Sequence, residues 1–147
     1  MSNDYAAFER MLIADMRAHG GRVTSGPMAG RTLGVLTTTG ARTGEHRTAI
    51  VTWTRDGDRY VIAATKSGAP THPDWHHNLV AHPEATLEAD GENLPVRATV
   101  TEGSERQRLW DLHAREHPEF QGYPAMTDRV IPVIVLDRID SNRSRTP

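Results

Sequence analysis

The sequence predicts a mainly β fold with α insertions, an antiparallel barrel of about six strands with an N-terminal helix and two or three short helices. Two alternating runs of residues each turn back at an Asp-Gly pair, Asp56-Gly57 and Asp90-Gly91, which is a strong local signal for a β-hairpin. The helical stretches interrupt these hairpins without the strand–helix–strand alternation of a doubly wound sheet. The chain has the length of one domain, 147 residues, so we expect residues 1–147 to share a single core.

The N-terminal half predicts one helix and three strands. Apolar residues recur at helical spacing from Phe8 to Met16, so a helix is expected within residues 1–20, where two glycines end it. A loop over 22–30 then leads into the first strand at 32–39. The second strand begins near Arg47 and alternates through Thr54, with Val51 and Trp53 on one face and Ile50 on the other. The third strand returns over residues 59–65.

The C-terminal half predicts two further helices and three strands. A short helix begins near Pro73 and runs to Ala81. The second hairpin joins residues 84–89 to 94–100. Ser104 and Gln107 form the pattern of a capping box for the next helix, which ends before Pro118. The last strand is expected over 131–136, and the polar tail, 141–147, is expected to be disordered.

The composition bounds the class of function. Seventeen basic and nineteen acidic residues give a net charge of −2, so no overall basic field favours a nucleic acid as partner. The chain has no cysteine, which excludes thiol catalysis and suits a reducing, cytoplasmic compartment. The first twenty residues lack the apolar stretch of a signal peptide, and no apolar run is long enough for a transmembrane segment. A local basic patch is still compatible with this composition.

The first candidate site is the turn after the first strand, where glycines bracket Arg42 and Thr43 and are followed by Arg47 and Thr48. Converging backbone amides, two guanidinium groups and a hydroxyl suit a phosphate. The spacing is not that of a P-loop. An ordinary hairpin loop with solvated arginines would explain the same residues equally well.

The second candidate site combines a strand end with the helix that follows it. The small residues Ala63, Ala64 and Thr65, followed by Lys66, would let a flat ring approach the backbone beside a positive charge. Trp75 and Asn78 lie three residues apart and share a helix face, as an aromatic wall and an amide for a heterocycle. The alternative places Trp75 in the core and Asn78 at a cap or in solvent.

The remaining candidates are an aromatic pair and a group of histidines. Phe120 and Tyr123 could form a lid with a phenolic donor, or could simply plug the end of the barrel. His72 and His76 have the i, i+4 spacing of a zinc pair, but no catalytic glutamate lies between them, so no metal site is expected. The carboxylates show no paired spacing typical of a hydrolase.

Taken in order, these segments resemble the deazaflavin-dependent nitroreductase family. The likeness extends from about Phe8 to Leu136. Its carriers are LTTTG at 36–40, RTG at 42–44, RT at 47–48, RDGDRY at 55–60 and TDRVIP at 127–132, with Lys66, Pro70, His72, Pro73, Trp75, Asn78 and Leu79. Each segment is weak alone, whereas the ordered combination is specific.

The resemblance implies a split β-barrel of the FMN-binding split-barrel-like class that uses coenzyme F-420, an 8-hydroxy-5-deazaflavin. Arg42, Thr43 and Arg47 would hold the phosphate and side chain of the coenzyme, and residues 63–66 would line its ring. Residues 75–78 would close the site, with Phe120 and Tyr123 on the substrate side. The implied reaction is hydride transfer from the reduced coenzyme to quinones, nitroaromatics or similar acceptors.

Three points stay open at this stage. The proton that accompanies the hydride could come from Tyr123 or from solvent. The cofactor could instead be FMN, as in related split-barrel reductases and oxidases, or the protein could carry a deazaflavin or hydrophobic ligand without turnover. Both a monomer and a homodimer are compatible with the sequence.

Overall fold

A computed structural model describes residues 2–24, 29–66 and 71–139, with side chains from residue 7 onward. The helices are α1 (Ser2–Ala18), α2 (Asp74–Ala81) and α3 (Gly103–Glu116), and the strands are β1 (Leu33–Thr39), β2 (His46–Thr52), β3 (Thr54–Asp56), β4 (Arg59–Ala63), β5 (Glu84–Ala89), β6 (Glu92–Val100) and β7 (Val133–Arg138). Two 3-10 turns, Pro118–Phe120 and Tyr123–Met126, join α3 to β7. The predicted disordered tail lies outside the described residues.

The seven strands form one antiparallel sheet in the order β2-β1-β5-β6-β7-β4-β3. The two end strands of this sheet, β2 and β3, are consecutive in the chain and are separated by Trp53 alone. A sheet whose two ends are joined by one residue must curl back on itself, so the strands form a barrel. The predicted antiparallel barrel with helical insertions is confirmed.

The barrel interior and its two covered faces follow the alternation of each strand. Val51 and Trp53 lie in the interior cluster, while Ile50 packs outward toward α1, as the alternation of the second strand predicted. The outward residues of β4 and β7 pack under α3. The helix α2 contributes Trp75 and Leu79 to the interior cluster. The interior residues from the strands are Leu36, Val51, Trp53, Tyr60, Ile62, Leu87, Ala89, Leu94, Val96, Ile134 and Leu136.

Four expected features differ from the structure. The second strand breaks at Trp53 into β2 and β3, so there are seven strands, because the chain changes partner from β1 to β4 at that residue. The third strand ends at Ala63 rather than at residue 65, because the Thr65 amide donates back to the Ala63 carbonyl (3.0 Å) and the chain leaves the sheet. Pairing of the last strand begins at Val133, after Pro132, which has no N–H to donate.

The fourth difference is at α3, which begins without the predicted capping box. Its N-cap is Glu102, which makes no side-chain cap bond. Gln107 donates instead to Asp111 on the next turn, at 2.9 Å.

Two histidines fasten α3 to the strand break at Trp53. His113 is fully buried, and its Nδ1 lies 2.9 Å from the Thr54 hydroxyl oxygen in a hydrogen bond. Nε2 of His117 donates to the Trp53 carbonyl at 2.9 Å. Burial, followed by the positive charge of His117, lowers the pKa of His113 to about 3. The α3 layer is thus attached where the barrel closes.

Candidate functional site

A cleft of about 840 Å³ lies between the β1–β2 turn and α2, and it is the largest one that predicted site residues line. A smaller cavity of about 340 Å³, between α1 and the β5–β6 hairpin, contains none of the predicted site residues. The larger cleft is lined from one side by Thr38, Gly40, Ala41, Arg42, Thr43, Arg47, Thr48 and Ala49, and from the other by Asp74, Trp75, His77 and Asn78. The two segments that the sequence proposed for a phosphate and for a ring wall therefore meet.

The β1–β2 turn, residues 40–45, is closed by its own backbone. The Gly40 amide donates to the Glu45 carbonyl (2.7 Å) and the Gly44 amide to the Gly40 carbonyl (3.0 Å). A Cβ at Gly40 would lie 2.7 Å from the Thr43 hydroxyl oxygen, so a larger residue there would force the Thr43 side chain to move. That hydroxyl accepts from the Glu45 amide at 3.2 Å and keeps its own hydrogen for another acceptor.

The two arginines of the cleft differ in their surroundings. Arg47 donates to Glu45 at 3.0 Å in an exposed ion pair, which is worth little against a better anion. Arg42 is exposed and makes no ion pair with any residue that the structure describes. Both guanidinium groups can therefore turn to a phosphate, Arg42 at the lower cost.

Asn78 is buried, and its side-chain amide binds the protein on both sides. Nδ2 donates to the Thr38 hydroxyl oxygen (3.0 Å), and Oδ1 accepts from the Ala41 amide (3.0 Å). The reading of Asn78 as a cap or a solvent residue is therefore wrong. Sequence spacing placed Asn78 at the site but held no signal for these partners, which lie 37 and 40 positions away.

Trp75 combines the two roles that the sequence left open. It packs against the interior cluster of the barrel and also lines the cleft, being only partly buried. One part of the indole therefore fills the core, while another is available as an aromatic wall.

Residues 63–66 lie at the end of β4 and not among the described residues that line the cleft. Ala64 is buried in the interior cluster, and Ala63 packs outward under α3. Thr65 is buried, with its carbonyl accepting from Arg129 at 2.7 Å. Lys66 donates to the Thr71 hydroxyl at 3.2 Å. Residues 67–70, which continue this segment, lie outside the described residues.

Phe120 and Tyr123 lie on the α3 side of the barrel, apart from the cleft lining. The Phe120 ring packs edge-on against His113 (4.6 Å between centroids) and against Tyr123 (5.3 Å). Tyr123 is half-buried against the same cluster that contains Ala63. The structure thus groups these two aromatic residues with the end of β4 and separates them from Arg42 and Trp75.

A cluster of histidines beside Arg129 adjoins the cleft through His77. The Arg129 guanidinium donates to Nδ1 of His72 at 2.8 Å, which requires that this nitrogen carry no proton. His76 lies 4.7 Å from His72 and 5.6 Å from His77 between ring centroids. Burial, and then the neighbouring positive charges, lower the pKa of His76 to about 4, so its ring is neutral at pH 7.

The described residues contain no group of three His, Cys, Asp or Glu side chains placed to hold a metal ion. None of the helices described is long and apolar enough to cross a membrane.

Comparison with known proteins identifies a consistent set of relatives. A sequence model of the family described as "F420H(2)-dependent quinone reductase" matches residues 8–138. A protein of that name from Mycobacterium tuberculosis is 37% identical over 107 residues, covering 71% of this chain and 72% of the relative. A solved F420-H2 dependent reductase (FDR-A) has a TM-score of 0.68 and 33% identity, over 73% of this chain and 95% of that one. Another solved chain, described as a domain-swapped dimer, has a TM-score of 0.70 and 29% identity, over 93% and 100% of the two chains.

Proposed function

This chain belongs to the F420H(2)-dependent quinone reductase family, and from that premise we propose that the cleft between the β1–β2 turn and α2 holds the deazaflavin coenzyme. The protein is an oxidoreductase that takes its hydride from the reduced coenzyme F-420. A quinone is the acceptor that this family implies. Nitroaromatic acceptors stay a prediction from the resemblance.

The observation that carries the proposal is the pairing, in one cleft, of a cationic glycine-bracketed turn with an indole. Arg42, Arg47 and the Thr43 hydroxyl form a donor set for phosphate oxygens. Trp75 offers a flat apolar surface on the facing helix. The cleft volume, about 840 Å³, is within the range of cofactor sites. The residues present therefore fit a phosphorylated heterocyclic coenzyme.

The chain's own residues bind and orient in this reaction. The bound coenzyme supplies the hydride, so no covalent nucleophile is needed. Arg42, Thr43 and Arg47 would fix the charged end, with Thr48 beside them, and Trp75 would limit the access of water to the ring. Asn78 lines the cleft from α2 and accepts from the Ala41 amide of the turn. These assignments to single residues are part of the proposal.

The acceptor side is proposed at the aromatic pair, Phe120 and Tyr123, and residues 63–66 at the end of β4 are kept as the proposed lining of the coenzyme ring. Ala63 and Tyr123 belong to one packed cluster, in which Phe120 is buried. The proposal keeps Tyr123 as candidate proton donor, with solvent as the alternative. Because these residues do not line the cleft, their roles depend on separate tests.

The test is a titration of the purified protein with the deazaflavin coenzyme, FMN and FAD side by side, followed by stopped-flow oxidation of the reduced coenzyme by a soluble quinone. We expect the deazaflavin to bind most tightly and the quinone to reoxidise it with turnover. Tighter binding of FMN, or a protein purified yellow with FMN, would contradict the proposal. Binding without reoxidation would indicate a carrier.

Three broader expectations stay predictions beside this proposal. They are a single domain over residues 1–147, a cytoplasmic location, and a monomer or homodimer without a nucleic-acid partner. The solved relative described as a domain-swapped dimer makes the oligomeric state worth measuring.

A further inference from the structure

We infer that Asn78 is a positioning residue, which sets the β1–β2 turn for the coenzyme's phosphate through the Ala41 amide. This inference rests on the proposed function for the identity of the ligand. It adds to the role first expected for Asn78, that of an amide lying beside the heterocycle.

The hydrogen bonds of Asn78 commit Oδ1 and one of the two Nδ2 hydrogens to the protein. Oδ1 accepts from the Ala41 amide at 3.0 Å, and Nδ2 donates to the Thr38 hydroxyl at 3.0 Å. The residue is 8% exposed, and Thr38 is 2% exposed. Such an amide cannot turn to a ligand without leaving a buried donor or acceptor unpaired, which is costly. Asn78 therefore keeps its two protein partners when a ligand binds.

Ala41 is the residue before Arg42, so the bond to Asn78 holds the turn at its functional position. The other backbone hydrogen bonds of the turn connect Gly40, Gly44 and Glu45 to one another, and none of these bonds reaches α2. The Asn78 bond crosses from α2 to the turn and restrains its movement. Preformed donor geometry is what makes an anion site effective, because no ordering is needed upon binding.

Asn78 also connects the turn to the proposed ring wall. Trp75 lies on the same helix, less than one turn before Asn78, and α2 packs on the interior of the barrel through Leu79. A single buried amide thus sets the spacing between the phosphate site and the indole. A coenzyme with both a ring and a phosphate depends on that spacing, whereas a phosphate-free analogue does not.

The experiment compares two ligands, the complete coenzyme and the corresponding deazaflavin with a ribityl chain but no phosphate. In Asn78→Leu we expect affinity for the complete coenzyme to fall about tenfold and affinity for the phosphate-free ligand to stay within about twofold. Asn93→Leu, at an exposed position of the β5–β6 hairpin, is the matched control and should change neither. Equal loss for both ligands, or no loss for either, would overturn the inference.

A second variant covers the case in which Asn78→Leu fails to fold. Thr38→Val keeps the shape of the buried side chain and removes the acceptor of Nδ2, so Asn78 is held less firmly. We expect a smaller loss with the same selectivity for the phosphorylated ligand. A loss that is larger for the phosphate-free ligand would contradict the inference.

A ligand-free measurement separates this inference from the proposed function. Residue-resolved hydrogen exchange should show the Ala41 amide protected in the wild type, at least about tenfold less protected in Asn78→Leu or Thr38→Val, and protected again in Asn78→Asp, whose carboxylate still accepts from Ala41. A wild type that binds neither ligand would overturn the proposed function while leaving this result decisive. An Ala41 amide that stays protected without Asn78 would overturn the inference.

Discussion

Arg42 and Arg47 line the same cleft but differ in their ion pairs. Arg47 pairs with Glu45, whereas Arg42 makes no ion pair with any described residue. We expect Arg42→Ala to weaken coenzyme binding by about 1.5–3 kcal/mol through lost charge-assisted hydrogen bonds, with a smaller change in maximum rate. Fluorescence titration at low salt measures the loss of coenzyme affinity. Arg47→Ala is the comparison and should cost less. Unchanged affinity in Arg42→Ala would remove this arginine from the site.

Trp75 should report coenzyme binding by its fluorescence. Trp53 is buried in the barrel interior and Trp110 on the buried face of α3, so Trp75 is the tryptophan that lines the cleft. We expect binding to quench tryptophan emission and Trp75→Phe to lose most of the quench while affinity falls modestly. A Trp110→Phe variant serves as control. Retention of the full quench without Trp75 would show that the proposed wall is wrong.

The role of the Tyr123 hydroxyl as proton donor can be tested by kinetics. If its hydroxyl donates the proton, Tyr123→Phe should lower quinone turnover by about 10²–10⁴-fold and leave coenzyme affinity intact, because the ring that packs on Phe120 remains. The measurement is steady-state turnover with two quinones of different reduction potential. Wild-type turnover in Tyr123→Phe, combined with a lower melting temperature for Tyr123→Ala, would assign Tyr123 to packing alone.

At the scale of the elements, α3 should make the fold sensitive to acid through His113. The folded pKa is depressed to about 3 from an ordinary value near 6.5, so the unfolded chain binds the proton first. Stability is therefore complete above about pH 6.5 and is lost as pH falls toward 3, by up to about 1.4 kcal/mol per pH unit for this group. His76, with a pKa of about 4, adds a loss over a narrower range.

The variant that tests this acid sensitivity is His113→Asn, which retains a hydrogen-bonding group for Thr54 but cannot be protonated. Urea unfolding between pH 7 and 4.5 should show a shallower pH dependence than in the wild type, whatever the change in absolute stability. His46→Asn, at an exposed position of β2, is the matched control. The same slope in all three proteins would exclude His113 as the sensitive group.

The elements that local chemistry determines were predictable, and those that the closed barrel determines were not. The Asp-Gly pairs specify both hairpins, because few other dipeptides allow the turn. The break at Trp53 has no local signal, since that residue continues the alternation of β2. The residue before it pairs with β1 and the residue after it pairs with β4, which only the closed barrel determines. The helix α3 begins at Gly103, after Glu102, and Gln107 of the predicted capping box bonds to Asp111 instead.

At the scale of the whole molecule, the sequence located both sides of the cleft but not how they are joined. The turn at Arg42 and the wall at Trp75 were recognisable from residue types and spacing. Their connection through Asn78 depends on a contact across 37 residues, which only the tertiary fold produces. The position of Tyr123 on the α3 side was equally hidden, because an aromatic residue in a loop carries no information about which face of a barrel it covers.

Trp53, the residue that joins the two end strands of the sheet, should make unfolding cooperative. Since the two end strands of the sheet are one continuous run of chain, pulling either away disturbs the other, and the His117 bond links α3 to the same point. Strand-by-strand fraying is thereby suppressed, and we expect a single cooperative unfolding step. Far-ultraviolet circular dichroism, tryptophan emission and calorimetry should give coincident transitions. An earlier transition detected by only one of these three methods would mean that the barrel opens before the chain unfolds globally.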